Sequence, residues 1–149
     1  MNGPRLVLNV ASHEMSFDYD TCAAIPPAAQ VADVGVLVPG RAGKAVRLSA
    51  LVGSAGMPAR ARHLHISSSD PSFAVSIPLA EAENALVVYA LGDGPLPESK
   101  GGPFRLLVPG HADECVHVKQ LARIELSDRP GRDTRPKDDA EHAKLHKKK

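Results

Sequence analysis

"GDGPLPESKGGPFRLLVPG", residues 92–110, is the stretch that decides the fold. Its first twelve residues hold four Gly and three Pro, too many breakers for a helix or a strand, so they form a loop. The apolar run "FRLLVP" follows without a spacer and reads as a strand. Gly101-Gly102-Pro103 permits a tight, rigid entry into that strand. Pro109 ends its pairing, because proline has no N–H to give to a ladder.

The pattern extends outward in both directions. Upstream, "ALVVYAL" is a continuous apolar run of strand length and reads as a central strand. "LAEAENA" before it is a short helix candidate. "HLHIS" and "SFAVSI" read as strands, the second with Phe73, Val75 and Ile77 on one face, and "SSSDPS" between them makes a hairpin. "KAVRLSALVGSAGMP" places Leu48, Leu51, Val52 and Ala55 at helical spacing, with Gly56 as C-cap and Pro58 just beyond, and reads as the clearest helix. "RLVLNV" alternates Leu6, Leu8 and Val10, the pattern of a half-buried strand. "ARIELS" closes the ordered part. About six strands and two or three short helices predict an α+β, β-rich domain.

Composition bounds the function. A chain of 149 residues is one domain by length and buries roughly 68–70% of its unfolded surface, enough for a core without metal or disulfide. With no Trp, two Tyr and three Phe, that core is aliphatic and base-stacking platforms are scarce. The net charge of +1 gives no field to draw in a polyanion, so no nucleic-acid partner is expected. The opening "MNGPRLVLNVASHEM" is too short and polar in its apolar part for a signal peptide or anchor, and no run reaches membrane-spanning length. Cys22 and Cys115 lie far apart with no CxxC pair, which predicts free thiols in a reducing cytoplasm, with one disulfide between them as the alternative. From Asp128 the composition turns to mixed charge, so a domain over residues 1–128 and a solvated, charged tail over 129–149 are expected. Asp138 to Lys147 has the composition of a fraying helix, and no internal repeat is present.

With these elements in place, "LGDGPLPESKGGPFRLLVPG" followed by "VKQLARIELSD" resembles the molybdopterin-binding domain of the sulfite oxidase family. There a turn of the type "NGxPLPxxHGGPLRLVVPG" leads through a loop to "VKWLxRIEL". "RLVLNVASHEMSFDYDTCAAIP" is similar to the opening of that domain, with Ile25-Pro26 as its Leu-Pro-like step. "KAVRLSALVGSAG" is similar to its helix, and "LHISSSDPSFAVSIPLAEA" to its strand, Ser-x-Asp turn and strand. The resemblance covers about residues 5 to 128 and implies a mixed, β-rich sulfite-oxidase-type fold that binds a molybdenum cofactor.

The resemblance also shapes the site. In the family, a strand after the Leu-Pro step carries a cysteine whose thiolate binds molybdenum. The corresponding stretch here, "AAQVADVGVLVPGR", has no cysteine, so no metal ligand is assigned. Cys22, ahead of Ile25-Pro26, reads as a small buried hydrophobe. The segment "HADECVHVK" resembles the one that approaches the pterin and its phosphate, where cations and N–H groups suit the ligand better than the Cys115 thiol. His117 and Lys119 are therefore expected as cofactor contacts, with a solvent-facing lysine as the plain reading of Lys119. Arg105 follows the Gly-Gly-Pro step and either organises that loop for the cofactor or sits in a structural ion pair. Arg41, Lys44 and Arg47 cluster at the expected start of the helix. A small oxyanion such as sulfite would meet cations and a helix N-terminus there; a solubilising loop is the bland alternative.

Other constellations carry less. His63 and His65 share one strand face, opposite Leu64 and Ile66, but a zinc site needs three or four ligands and no third is near in sequence. His142 and His146 are tail composition. No GxSxG elbow, Walker loop or GxGxxG fingerprint supports a hydrolase or nucleotide enzyme. Two functions follow: cofactor-dependent oxidoreduction, or a non-catalytic binding or interaction module that has lost the cofactor chemistry. The missing cysteine leaves open whether the protein is an enzyme.

Overall fold

The computed structural model describes residues 5–10, 13–55, 61–70, 73–111, 116–129, 131 and 133–134. In chain order the elements are β1 (Leu6–Val10), β2 (His13–Phe17), α1 (Tyr19–Ala23), β3 (Gln30–Val31), β4 (Lys44–Arg47), α2 (Leu48–Ala55), β5 (His63–Ser68), β6 (Ala74–Pro78), β7 (Leu86–Leu91), β8 (Gly94–Pro95), β9 (Arg105–Leu107) and β10 (Leu121–Ser127). They form two sheets. The first has the order β2-β1-β10-β5-β6, with β1 parallel to β10 and every other pair antiparallel. The second runs β3-β4-β7, and β8 and β9 both pair with β7. The architecture is the expected mixed, β-rich α+β fold.

Burial explains why these residues take these places. In β1 the alternating Leu6, Leu8 and Val10 enter the core while Val7 and Asn9 stay half-buried, as period-2 patterning requires. In β7 five residues in succession are buried, because both of its faces are covered. Val87 and Tyr89 join the main core with Leu8, Ile66, Leu106 and Ile124. Leu86 and Val88 join a second cluster with Val34, Ala45, Leu96 and Leu107. Each such aliphatic side chain contributes roughly 1.5–3 kcal/mol through burial, so the central position of β7 follows from its unbroken apolar run.

Three expectations change. Residues 44–47 are strand, not helix start: Lys44 pairs with Ala90 and Arg47 with Leu86, and α2 begins at Leu48. Gly43 makes this pairing feasible, since at φ +125° an added Cβ would lie 2.7 Å from the Ala90 carbonyl oxygen. "LAEAENA" forms only a 3-10 turn over Leu79–Ala82. The short β2, β3, β4 and β8 add to the expected strand count, because two- to five-residue strands carry almost no periodic signal. His142, His146, Cys115 and the Asp138–Lys147 stretch lie outside the described residues.

The described residues past Asp128 lie against β6, the edge strand of the first sheet. Thr134 N donates to Ala74 O at 2.8 Å, and Ala74 N donates to Thr134 Oγ1 at 3.1 Å. Ser76 N donates to Asp133 Oδ2 at 3.3 Å, and Gly131 N to Ser76 Oγ at 2.9 Å. Pro78, at the next outward position, has no N–H to satisfy. Every outward amide of this edge is therefore capped or missing, which blocks edge-to-edge pairing. His65 lies beneath the segment, with Nε2 2.7 Å from Arg129 O and Nδ1 3.4 Å from Glu125 Oε1. Gly131 has no room for a Cβ over that imidazole. Among the described residues no group of three or more His, Cys, Asp or Glu gathers as a metal site. Thr134→Val is expected to cost about 1 kcal/mol of stability through the lost hydroxyl contacts, read as a lower urea midpoint. An unchanged midpoint would show that the cap contributes nothing.

Candidate functional site

The loop that opened the sequence reading builds the site. After Pro97 the chain makes a 3-10 turn over Glu98–Lys100, with Lys100 N and Gly102 N both bonded to Pro97 O at 2.9 Å. Gly101 leaves the turn at φ +92°, a left-handed conformation that glycine adopts without strain. The segment carrying Lys119 is then zipped alongside. Gln120 N donates to Gly101 O, Leu121 N to Phe104 O, and Leu106 N to Val118 O. A Cβ at Gly101 would sit 3.1 Å from Arg105 Cδ and 3.2 Å from Lys119 Cγ. The missing side chain thus lets these two cations close over the turn.

Around this turn lies a cavity of about 420 Å³ on the outer face of the second sheet. Val88, Leu91, Leu96 and Leu107 give it an apolar floor, and Arg41, Lys100, Arg105 and Lys119 line it with Glu98. The cations come from both sides of β7. Arg41 precedes β4, which pairs with one edge of β7, and Arg105 opens β9, which pairs with the other and stands opposite Val88. Lys100 and Lys119 are in no ion pair among the described residues. Cations over apolar side chains suit an anion chemically, because a low-dielectric floor strengthens each charge-assisted contact.

Of the five cofactor contacts expected from sequence, Arg41, Arg105 and Lys119 line this cavity, and Lys44 and His117 do not. Lys44 is exposed on β4. Because the helix starts after Arg47, the expected meeting of Lys44 with a helix N-terminus does not occur. His117 is buried, and its Nδ1 accepts the Val108 N–H at 3.0 Å, so the imidazole fixes the end of the Arg105–Val108 segment. Lys100 and Glu98 were not singled out by sequence. They sit in a loop with no periodicity, and only the pairing of 116–121 with 101–106 brings them to Lys119.

The thiol chemistry is placed elsewhere. A reciprocal capping box between Asp18 and Thr21 starts α1, which turns Cys22 fully into the core. Gln30 Nε2 ties down the Cys22 carbonyl at 2.8 Å, and Tyr89 Oη donates to Gln30 Oε1 at 2.8 Å. Burial, and then the Asp18 charge, push the Cys22 thiol up from 9.0 to about 12. Cys22 is therefore a neutral core side chain. Native protein at pH 8 is expected to resist iodoacetamide at Cys22 and to react once unfolded in urea, as read by peptide mass spectrometry. Equal labelling in both states would overturn this. Because the folded state holds the proton more tightly, this group's contribution to stability falls as pH rises from about 9 to about 12.

The fold is a mixed, β-rich α+β domain with a cation-lined cavity on its second sheet. More specifically, the chain belongs to the oxidoreductase molybdopterin binding domain family, whose sequence profile matches residues 43–135. The crystal structure of the sulfane dehydrogenase SoxCD from Paracoccus pantotrophus shares the fold, with a TM-score of 0.64 at 21% identity. That match covers 85% of this chain and 39% of the other, so the chain spans well under half the length of that relative. No curated protein matches the sequence. No helix among the described residues is long and apolar enough to cross a membrane.

Proposed function

We propose that this domain binds a molybdenum cofactor, with the phosphate of molybdopterin held in the cavity by Arg105 and Lys119 beside Gly101, and that it serves oxidoreduction. The observation that carries this reading is the four-cation cavity, built by the loop on which the family resemblance rests. The donor set fits the anionic part of the cofactor: cations, an apolar floor, and a glycine whose missing Cβ brings two cations together. When bound, the cofactor supplies oxygen-atom and electron chemistry, while the protein supplies binding, orientation and charge. The residue range 1–128, extended by Gly131, Asp133 and Thr134 against β6, would form the binding unit, in a reducing cytoplasm, with a small oxyanion as its other ligand.

A second reading is favoured by Cys22. Among the described residues it is the one cysteine, and its thiol is buried and neutral, so none of them presents a thiolate to a metal. The second reading is a non-catalytic binding or interaction module that has lost the cofactor chemistry. Molybdenum by elemental analysis, with fluorescence of oxidised pterin, on protein made in a cofactor-competent host separates these readings. Near-stoichiometric metal and pterin supports the cofactor reading, and absence of both in folded protein supports the second and overturns cofactor binding.

A further inference from the structure

We propose that the domain carries a second binding site, a cleft for a quaternary ammonium head group, walled by Tyr19, Tyr89 and Phe104 and rimmed by Asp18 and Asp20. It lies apart from the cation-lined cavity and does not rest on the cofactor reading. The chain holds two Tyr, three Phe and no Trp, and three of those five rings line this cleft of about 150 Å³. Backbone pairing brings them there. Arg105 stands opposite Val88 in the antiparallel β7–β9 pair, so Phe104 comes beside Tyr89. Pro95, paired with Ala90, and Pro103 complete the walls. Tyr19 opens α1, and its ring meets that of Tyr89 with 5.7 Å between centroids and 60° between planes. Tyr89 and Phe104 are buried, and the Tyr89 hydroxyl is tied to Gln30, so these walls are set before a ligand arrives. Successive strand residues face opposite ways. Tyr89 therefore belongs to the main core side of β7, while Val88 floors the other cavity.

Charge selects the ligand. The described lining carries two carboxylates and no cation. Hydrogen bonds from the Thr21 hydroxyl and N–H hold the Asp18 carboxyl below its ordinary range. Asp20 is exposed and makes no ion pair with a described residue. Arg5, which adds to the effect on Asp18, has its guanidinium on Ser16 Oγ at 3.0 Å. An anion would be repelled, and a neutral apolar ligand would take water from the carboxylates without replacing it. A metal ion is ill served, because no group of three or more His, Cys, Asp or Glu gathers among the described residues. Ring faces attract cations that shed their water cheaply, and quaternary ammonium groups are foremost among them. Rings set at 60° make a rounded niche rather than the parallel slot that suits a planar guanidinium. The cleft has room for roughly five waters at about 30 Å³ each, enough for one such head group.

The shared ligand chemistry is the trimethylammonium group, on a small molecule or on a trimethylated lysine of a peptide. The test is calorimetric titration of the full chain with choline, its uncharged tert-butyl analogue, methylguanidinium and a short peptide bearing trimethyllysine. Choline is expected to bind about tenfold or more tightly than the uncharged analogue, and more tightly than methylguanidinium. Tyr19→Leu should lower choline affinity about tenfold, while Tyr19→Phe, which keeps the ring, stays within about threefold. Asp20→Asn, at an exposed position, should lower it about two- to fivefold and keeps the test valid if Tyr19→Leu fails to fold. A peptide that binds more tightly than choline supports a protein side chain as the source, and one that binds more weakly supports a small molecule. Equal binding of choline and its uncharged analogue, tighter binding of methylguanidinium, or unchanged choline affinity in folded Tyr19→Leu or in Asp20→Asn overturns the proposal. None of these results touches the anion cavity, whose own test is molybdenum and pterin content.

Discussion

Gly102→Ala is expected to destabilise the protein by about 3 kcal/mol or more, toward the severe end of single substitutions. A Cβ at Gly102 would run into the Leu96 carbonyl oxygen, with the Leu96 carbonyl carbon at 2.6 Å and the Pro97 oxygen at 2.8 Å. All three are backbone atoms, so no side-chain rotation relieves the clash. The loop cannot back away either, because Gly102 N is bonded to Pro97 O and Gln120 N to Gly101 O. Thermal unfolding should move down by roughly 6–12 °C for a chain of this size. A shift below about 2 °C would show that the loop relaxes and that its tight closure is not required.

The second large effect concerns ligand retention. The double variant Arg105→Gln, Lys119→Ala is expected to lower pterin retention about 10²- to 10⁴-fold, since two charge-assisted contacts of roughly 1.5–3 kcal/mol each are removed. Both side chains close over Gly101, so they act on one group and their single effects need not add. Pterin released on denaturation, measured by fluorescence against wild type, reports the change. Circular dichroism shows whether the fold is intact. Full retention in the folded double variant would place the phosphate elsewhere.

The neutral Cys22 and the capped β6 edge share one physical cause. Both groups would be reactive if exposed, one as a thiol and the other as an open ladder of amides. The fold deals with the first by burial in the main core and with the second through Asp133 and Thr134. Charged residues past Asp128, solvated by composition alone, supply this cap because Thr and Asp side chains can accept from strand amides as a neighbouring strand would.

The sequence by itself determined the strands that carry the core and the loop that carries the site. Leu6–Val10, His63–Ser68, Leu86–Leu91 and Leu121–Ser127 declare themselves because burial imposes a period of two on half-covered strands and an unbroken apolar run on a strand covered twice. The Gly-Pro tract at 92–103 does so because few other residues tolerate its turns. Only the tertiary structure decided which charged residues share the cavity. Lys44 looked like a helix-start cation because Leu48, Leu51, Val52 and Ala55 extend a helical pattern up to it, and pairing with β7 made it strand. His117 has its Nδ1 on the Val108 amide and does not line the cavity, a placement that periodicity could not give. Lys100 carried no signal at all, since its meeting with Lys119 depends on hydrogen bonds between segments some twenty residues apart. Periodicity reports what a residue buries against, and charge on a loop has no period, so long-range pairing alone chooses its neighbours.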